Sequence, residues 1–270
     1  MPPQKFYEAK PLSEIEFKKA WKQLKTSVPT VALVSVDPVF TKKSAEAIPY
    51  TQYGGTPLLK EDEPWPNCKS CSSPFALVYQ VDLQKLPLSV RKSITGKGVF
   101  QIFHCLKESC LNRLGESDED DHYAYLCRIV PRSELAQTKE KKALLEKRGI
   151  KAWKRQEDGL DYPNILSQNQ LEKLPTELRS LVANVSFEEA YAQHYPVQTD
   201  KIGGAPSWLQ SDETPRCPQC PRDKGLMKFL MQFNSGKEEK SELEFGDSGC
   251  AYVFQCSEHP DLFSLIMQTS

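Results

Sequence analysis

An internal repeat constrains the fold of this chain more than any other feature of its sequence. One copy begins at Gly54-Gly55-Thr56-Pro57 and the other at Gly203-Gly204-Ala205-Pro206. In each copy the first glycine precedes a Cys-x-x-Cys pair by the same interval, 14 positions to the first cysteine and 17 to the second. Because repeated spacings of this kind indicate repeated supersecondary units, the sequence predicts two structurally related halves.

Each copy carries four residues that can bind a metal ion. In both, a Cys-x-x-Cys pair precedes one apolar run and a second pair of candidate ligands follows another. If the two runs are antiparallel neighbours, their ends bring all four side chains together. The first set is Cys68, Cys71, Cys105 and Cys110, and the second is Cys217, Cys220, Cys256 and His259. Structural zinc is bound by both kinds of ligand set, so the sequence predicts two structural Zn²⁺ sites.

These clusters are expected to stabilise the fold and not to catalyse a reaction. Four protein ligands leave no coordination position for a water molecule. The ligand pairs are separated by 33 residues in the first copy and 35 in the second, whereas a zinc ribbon typically has roughly 15–20. Free structural thiols and redox pairs therefore remain alternatives. Disulfides are disfavoured, because the nine cysteines are an odd number and no secretory leader is visible.

Length and composition indicate an ordinary globular protein. Of the 270 residues, 39% are hydrophobic and 26% are charged, and the formal net charge is −1. The length suffices for one large or two small domains. A net charge near zero disfavours broad nonspecific binding to the nucleic-acid backbone. Because neither a long apolar run nor a signal-peptide core is present, we expect no membrane span and a cytoplasmic, reducing location.

Several local patterns predict individual elements. Ser13 and Glu16 have the spacing of a capping box at the start of an amphipathic helix. Residues 31–36 predict a strand that ends at the following Asp37-Pro38 dipeptide. The two glycine pairs are expected to form turns rather than phosphate cradles.

Four polar or thiol side chains inside apolar surroundings are expected to be structural. Gln80 and Gln232 occupy matching places in the two copies and are expected to bond to neighbouring backbone. Cys127 and Cys250 belong to neither ligand set and are expected to be small buried hydrophobic residues.

Two charged segments between the copies are candidate partner surfaces. The acidic one predicts either a solvated loop or a contact for a basic protein, through Asp118, Glu119, Asp120 and Asp121. The basic one, residues 139–155, has eight Lys/Arg residues against two Glu. Its composition through Lys147 predicts a solvated helix, with an RNA-binding surface as the alternative.

Several motifs together resemble a known domain family. They are the two Gly-Gly-x-Pro turns, Trp65-Pro66, residues 75–83 and 98–105, Ile150-x-x-Trp153, Asp161-Tyr162-Pro163, and residues 201–206, 227–232 and 245–254. On these residues the chain resembles the YwqG-like domain family of unknown function. More distantly, its Cys-bearing repeat is similar to programmed cell death protein 2 and its yeast counterpart in ribosome maturation.

The resemblance implies a protein-binding role. The eukaryotic branch of this wider group escorts a newly made ribosomal protein of the small subunit, and bacterial relatives have been proposed as toxin-immunity proteins. On this resemblance we expect no counterpart of the extra zinc-finger domain that some eukaryotic members carry, so the escort role does not simply transfer. Zinc ligands, in turn, are not general among bacterial members.

We therefore predict a β-rich α+β fold built from two pseudo-repeated, zinc-clipped β units with packed helices. The expected segments are 1–48 with an N-terminal helix and strand, 49–115 with the first β repeat, 116–200 with a strand and helical connector, and 201–270 with the second β repeat. The leading hypothesis is a zinc-stabilised, chaperone-like module that binds a basic protein. A toxin-immunity protein and an RNA-binding zinc protein are the alternatives. An enzyme is disfavoured because no catalytic motif is visible, although Asp161 and Asp247 could lie in a cleft.

Overall fold

The computed structural model is mostly β, with few helices. It describes residues 12–27, 33–111, 124–138, 143–158, 172–183, 187, 190, 199–221, 223–235, 243–245 and 248–269. The chain divides into two compact units, one formed by Met1–Leu33 and Glu157–Val197 and the other by Val34–Gln156 and Gln198–Ser270. None of the described helices is long and apolar enough to cross a lipid bilayer.

The helices and strands are numbered in chain order. The helices are α1 (Glu14–Ser27), α2 (Leu88–Arg91), α3 (Glu108–Leu111) and α4 (Thr176–Val182). The strands of the first half of the chain are β1 (Leu33–Thr41), β2 (Gln52–Tyr53), β3 (Leu58–Lys60), β4 (Ala76–Asp82), β5 (Val99–His104) and β6 (Tyr125–Val130). The later strands are β7 (Leu135–Gln137), β8 (Arg148–Asp158), β9 (Lys201–Gly203), β10 (Lys228–Asn234), β11 (Cys250–Gln255) and β12 (Phe263–Gln268).

The smaller unit has its own apolar core, formed by α1, α4 and Phe187. The capping box that begins α1 is confirmed. The Ser13 N–H donates to Glu16 Oε2 at 2.9 Å and the Glu16 N–H donates to Ser13 Oγ at 3.3 Å, which satisfies two backbone donors that the helix cannot pair internally. The buried residues are Phe17, Ala20, Trp21, Leu24, Leu174, Leu178, Val182 and Phe187.

The larger unit is built on one ten-stranded sheet. Its strand order is β12-β11-β10-β9-β1-β8-β2-β4-β5-β6, while β3 and β7 form a separate pair. At the two edges, the Leu265 N–H of β12 donates to the Tyr125 hydroxyl of β6 at 3.1 Å. The sheet is therefore nearly closed and barrel-like.

Both faces of the sheet are covered near the metal-binding candidates. Strands β4, β5 and β11 are buried at every residue, although successive side chains of a strand point to opposite faces. In β5, Phe100 belongs to the large core, whereas Phe103 belongs to a smaller cluster that contains cysteines. In β11, Val253 belongs to the large core, whereas Phe254 belongs to a second small cluster that contains cysteines. Each cysteine-bearing segment thus packs over the face of the sheet opposite to the large core.

The prediction that the first strand ends at Asp37-Pro38 is wrong. Strand β1 continues through this dipeptide to Thr41. Proline interrupts a strand mainly because it cannot donate a ladder hydrogen bond. Pro38 lies beyond Ser35 and Val36, the residues of β1 that pair with β9, so this pairing loses no donor.

The helical prediction for the basic segment, which extends through Lys147, is also wrong for the described residues 143–147. Residues 143–147 are irregular, and β8 begins at Arg148. Leu145 and Ile150 are buried in the large core, and Gly149 pairs with Gln52 of β2. Burial and strand pairing have therefore overridden a composition that favours helix.

Candidate metal centres

The four cysteines of the first copy come together in the structure. Their sulfur atoms all lie within 4.8 Å of one another. The Sγ atoms of Cys68 and Cys110 are 3.9 Å apart, and those of Cys71 and Cys105 are 3.6 Å apart. The antiparallel pairing of β4 and β5 places the loop before β4 beside the end of β5. The predicted convergence of the two ligand pairs follows from this pairing.

The second copy forms an equivalent cluster with one nitrogen ligand. His259 Nδ1 lies 3.5 Å from Cys217 Sγ, 3.4 Å from Cys220 Sγ and 3.6 Å from Cys256 Sγ. The sulfurs of Cys220 and Cys256 are 3.6 Å apart. Antiparallel pairing of β10 with β11 brings these ends together, as in the first copy.

Both clusters have the dimensions of a tetrahedral metal centre. Metal–sulfur bonds of about 2.3 Å and metal–nitrogen bonds of about 2.0–2.1 Å place two sulfurs about 3.8 Å apart, and a sulfur about 3.6 Å from a nitrogen. The observed separations of 3.4–3.9 Å match these values. A disulfide bond would require about 2.05 Å, and all nine cysteines are free. The eight residues fit two metal ions.

Short backbone bridges close the Cys-x-x-Cys loops. In the first, Asn67 pairs with Pro74 across the loop, and the Ser72 N–H donates to the Cys68 carbonyl at 2.8 Å. In the second, Arg216 pairs with Leu226, and the Cys217 N–H donates to the Gly225 carbonyl at 2.7 Å. These bonds fix the direction in which the two sulfurs of each loop point.

Each cluster contains one thiol that ionises readily. Hydrogen bonds from the side chain and the backbone N–H of Ser73 lower the pKa of Cys71 to about 6. Burial opposes ionisation of Cys256, but hydrogen bonds from His259, Cys217 and the Glu258 backbone together outweigh it and lower the pKa of Cys256 to about 6. Burial raises the pKa of Cys105 and Cys110. A bound cation would favour the thiolate form of every cysteine ligand, because a cysteine coordinates metal as the thiolate.

The two remaining cysteines are buried, as predicted. Cys127 lies in β6 and Cys250 at the start of β11. Burial raises the pKa of Cys127, and it raises the pKa of Cys250 to about 12. Both residues therefore behave as small hydrophobic side chains.

Gln80 and Gln232 are buried and bond to backbone, as predicted, and the backbone they bond to belongs to the Gly-Gly-x-Pro turns. Gln80 Oε1 accepts from the Leu58 N–H at 3.0 Å, and Gln232 Oε1 accepts from the Ser207 N–H at 2.9 Å. Leu58 and Ser207 each lie four positions after the first glycine of their turn. The glycines Gly54, Gly55, Gly203 and Gly204 all have φ between 58° and 76°, a region that favours glycine and confirms the predicted turns.

Sequence reasoning missed the partners of these glutamines. Gln101 lies opposite Gln80 and donates to the Leu58 carbonyl at 2.6 Å. Tyr252 lies opposite Gln232 and donates to the Ser207 carbonyl at 2.7 Å. In each turn, one residue is therefore hydrogen-bonded by side chains at both its N–H and its carbonyl group. The sequence does contain a signal for these partners, because Gln101 and Tyr252 each precede the third cysteine of their copy by four positions.

Several candidates fall outside the described residues. These are the possible partner contacts Asp118, Glu119, Asp120 and Asp121, together with Asp161 and Asp247.

Comparison with known proteins identifies a family without an assigned role. The family model for DUF1963, a domain of unknown function, matches residues 51–259. This span includes all eight candidate metal ligands. A search of curated proteins found no match.

Proposed function

The chain belongs to the DUF1963 family, a domain of unknown function, and we propose that it is a zinc-stabilised protein-binding module. The observation that supports the proposal is that each cluster has a complete set of four protein ligands. Each offers four protein ligand atoms that lie within 4.8 Å of one another. A metal held in this way has no open coordination position for a substrate or a water molecule. Its role is therefore to stabilise the sheet, and binding of a partner takes place at the protein surface.

Zinc is the metal that the ligand chemistry favours. Thiolates select zinc, copper(I) or iron–sulfur clusters, and the mixed set with one imidazole is common for structural zinc. We expect two zinc ions per chain after purification without added metal, measured by inductively coupled plasma mass spectrometry. A folded, metal-free protein whose cysteines all react with an alkylating agent would overturn this assignment.

We further propose that the two halves of the sheet are pseudo-repeats. Strands β2, β4, β5 and β6 occupy one side of the central pair β1 and β8, and β9 to β12 occupy the other. The matching bonds of Gln80 and Gln232 support this equivalence. A duplicated unit explains why two metal sites occur in one sheet, since a small β unit is marginally stable alone.

The proposed partner is a basic protein, bound through the acidic side chains at positions 118–121. Opposite charges across an interface steer association and exclude partners of the wrong sign. An escort role would follow the resemblance to the eukaryotic branch of the wider group. The proposal rests on charge and on that resemblance.

Capture of the partner from the native host tests this role. The test variant replaces positions 118–121 by Asn, Gln, Asn and Asn, and a matched control carries Glu61→Gln and Asp62→Asn, two exposed acids near β3. We expect the wild-type protein and the control to recover one basic protein stoichiometrically after nuclease treatment, and the test variant to lose it. Equal capture by all three would remove the acidic segment from the proposal.

RNA binding is a second candidate, favoured by the exposed part of β8. Lys151, Lys154 and Arg155 are exposed there, and neither Lys154 nor Arg155 forms a salt bridge with a described residue. This candidate predicts retention on RNA that falls steeply with salt. Replacing Lys154 and Arg155 by Gln should reduce the salt slope by about one for each phosphate group that the variant no longer binds. An unchanged slope would exclude this surface.

A further inference from the structure

A cavity of about 400 Å³ opens beside the central strands of the sheet. It is bounded by the end of β1, the segment from residue 47 to β2, and the start of β8. The lining residues that matter for its chemistry are Thr41, Lys42, Tyr50, Gln52, Lys147 and Gly149. Its volume lies within the range of roughly 300–1,000 Å³ that is usual for small-molecule sites, and no candidate metal ligand lines it.

The charge of this cavity is positive. Lys42 and Lys147 contribute two ammonium groups, and no acidic residue is found among the described residues that line it. Neither lysine forms a salt bridge with a described carboxylate. Glu46, on the same segment, is already engaged by the Thr41 hydroxyl at 3.1 Å and by Lys43 Nζ at 3.2 Å. The two ammonium charges are thus left for a ligand.

Two glycines allow the cavity to form. A Cβ atom at Gly55, where φ is +76°, would lie 2.8 Å from Lys147 Cβ. The stem of Lys147 therefore passes directly over the first Gly-Gly turn. A Cβ at Gly149 would lie 2.7 Å from Ala47 Cβ, so this glycine lets the 47–50 segment approach β8. The turn itself is not a phosphate cradle, because the N–H groups of Gly54 and Gly55 donate to backbone carbonyls.

Tyr50 is held in a conformation that costs energy. Its φ of 61° is unusual for a residue with a large side chain, and strain of this kind is concentrated at functional sites. The Arg132 guanidinium lies 4.6 Å from the centre of its ring. This contact orients an aromatic ring at the wall of the cavity.

We propose that this cavity binds a small phosphate-bearing molecule, with Lys42 and Lys147 contacting the phosphate and Tyr50 lying beside the rest of the ligand. A lysine ammonium acts as a point charge that binds phosphate well. A phosphate monoester carries close to two negative charges at neutral pH, which two unpaired lysines balance.

Titration of the zinc-loaded protein with inorganic phosphate and pyrophosphate tests the site. The readout is the ¹H–¹⁵N chemical shift of backbone amides, with sodium chloride at equal ionic strength as the reference. We expect saturable one-to-one binding, with shifts concentrated at residues 41–52 and 147–149. The double variant Lys42→Gln/Lys147→Gln should bind at least tenfold more weakly, whereas Lys147→Arg should retain binding.

A matched control separates the cavity from general surface charge. Lys43→Gln removes a neighbouring exposed lysine that pairs with Glu46 and does not line the cavity. Its affinity should stay within twofold of the wild type. Unfolding temperature and zinc content of each variant establish that it is folded. Unsaturable binding, shifts reproduced by sodium chloride, or equal affinity of the double variant would each overturn the proposal without affecting the zinc assignment.

Discussion

The two metal-binding clusters share a geometry but differ in chemistry and exposure. The first has four cysteines, of which Cys71 is exposed and the others are buried. The second has three cysteines and His259, and both Cys220 and His259 are half-buried. With Zn²⁺ bound, four thiolates leave a formal charge of −2 at the first site (+2 − 4), and three leave −1 at the second (+2 − 3). With zinc bound, the two clusters would therefore differ by one unit of formal charge.

The side chains around the two clusters also differ in polarity. In the first half, Gln101 accepts from Arg128 Nε at 2.9 Å, and Arg128 forms a salt bridge with Glu63. In the second half, Tyr252 packs against Trp208, with ring centroids 4.6 Å apart. A polar network thus lies beside the first Gly-Gly turn, and an aromatic pair lies beside the second. The glycines of both turns have positive φ, whereas the side chains around the turns differ.

The largest expected effect comes from removing one buried ligand of either cluster. Cys105→Ser and Cys256→Ser are matched, because each residue directly follows the second long strand of its half. Each variant should retain one zinc ion per chain, and each should lose stability on the order of 3 kcal/mol or more, since structural zinc supplies folding free energy. Zinc content and urea unfolding measure both quantities. The control Cys127→Ala should retain two zinc ions, and two zinc ions in either ligand variant would contradict the assignment.

The sequence was sufficient to group the eight candidate ligands because their spacing to the glycines is local and repeated. It was insufficient wherever tertiary packing competes with local preference. The Asp37-Pro38 dipeptide predicts a strand end, since the sequence does not show where the pairing with β9 stops. The composition through Lys147 predicts a helix, although the burial of Leu145 competes with that preference. The cavity beside Lys147 is also inaccessible to sequence reasoning, because its walls are distant along the chain.

The two buried glutamines provide a more sensitive test of equivalence. Gln80→Met and Gln232→Met keep side-chain volume while removing the acceptor for the Leu58 or Ser207 N–H. A buried donor without a partner costs about 1–3 kcal/mol. Gln80→Met should lose less stability in urea unfolding than Gln232→Met, because it also removes a buried Nε2 group that has no hydrogen-bond partner among the described residues, whereas Gln232 Nε2 donates to the Thr199 carbonyl at 3.2 Å. Hydrogen exchange should accelerate at the Leu58 amide in the first variant and at the Ser207 amide in the second. The exposed control Gln84→Met should change stability by less than about 0.5 kcal/mol. Unchanged exchange at either amide would show that the bond is not required.

The smallest effect is expected at Asp37, on a strand that belongs to neither half. Burial raises the pKa of this carboxyl group, although Gln156, which donates to Oδ2 at 2.7 Å, and two lysines oppose the shift. Because the folded state favours the protonated form, the contribution of Asp37 to stability is greatest below about pH 4 and is lost as the pH rises through the raised pKa. Asp37→Asn keeps an acceptor for Gln156 and removes the charge. It should therefore stabilise the protein at pH 7, by less than about 1 kcal/mol because the group is only half-buried, and the gain should vanish near pH 3. Urea unfolding at pH 7 and at pH 3 measures the difference in free energy of unfolding between the variant and the wild type. A variant that is less stable than the wild type at pH 7 would show instead that Asp37 is held as a carboxylate by its lysine neighbours, Lys154 and Lys201. Charge interactions would then stabilise the central strands of the sheet.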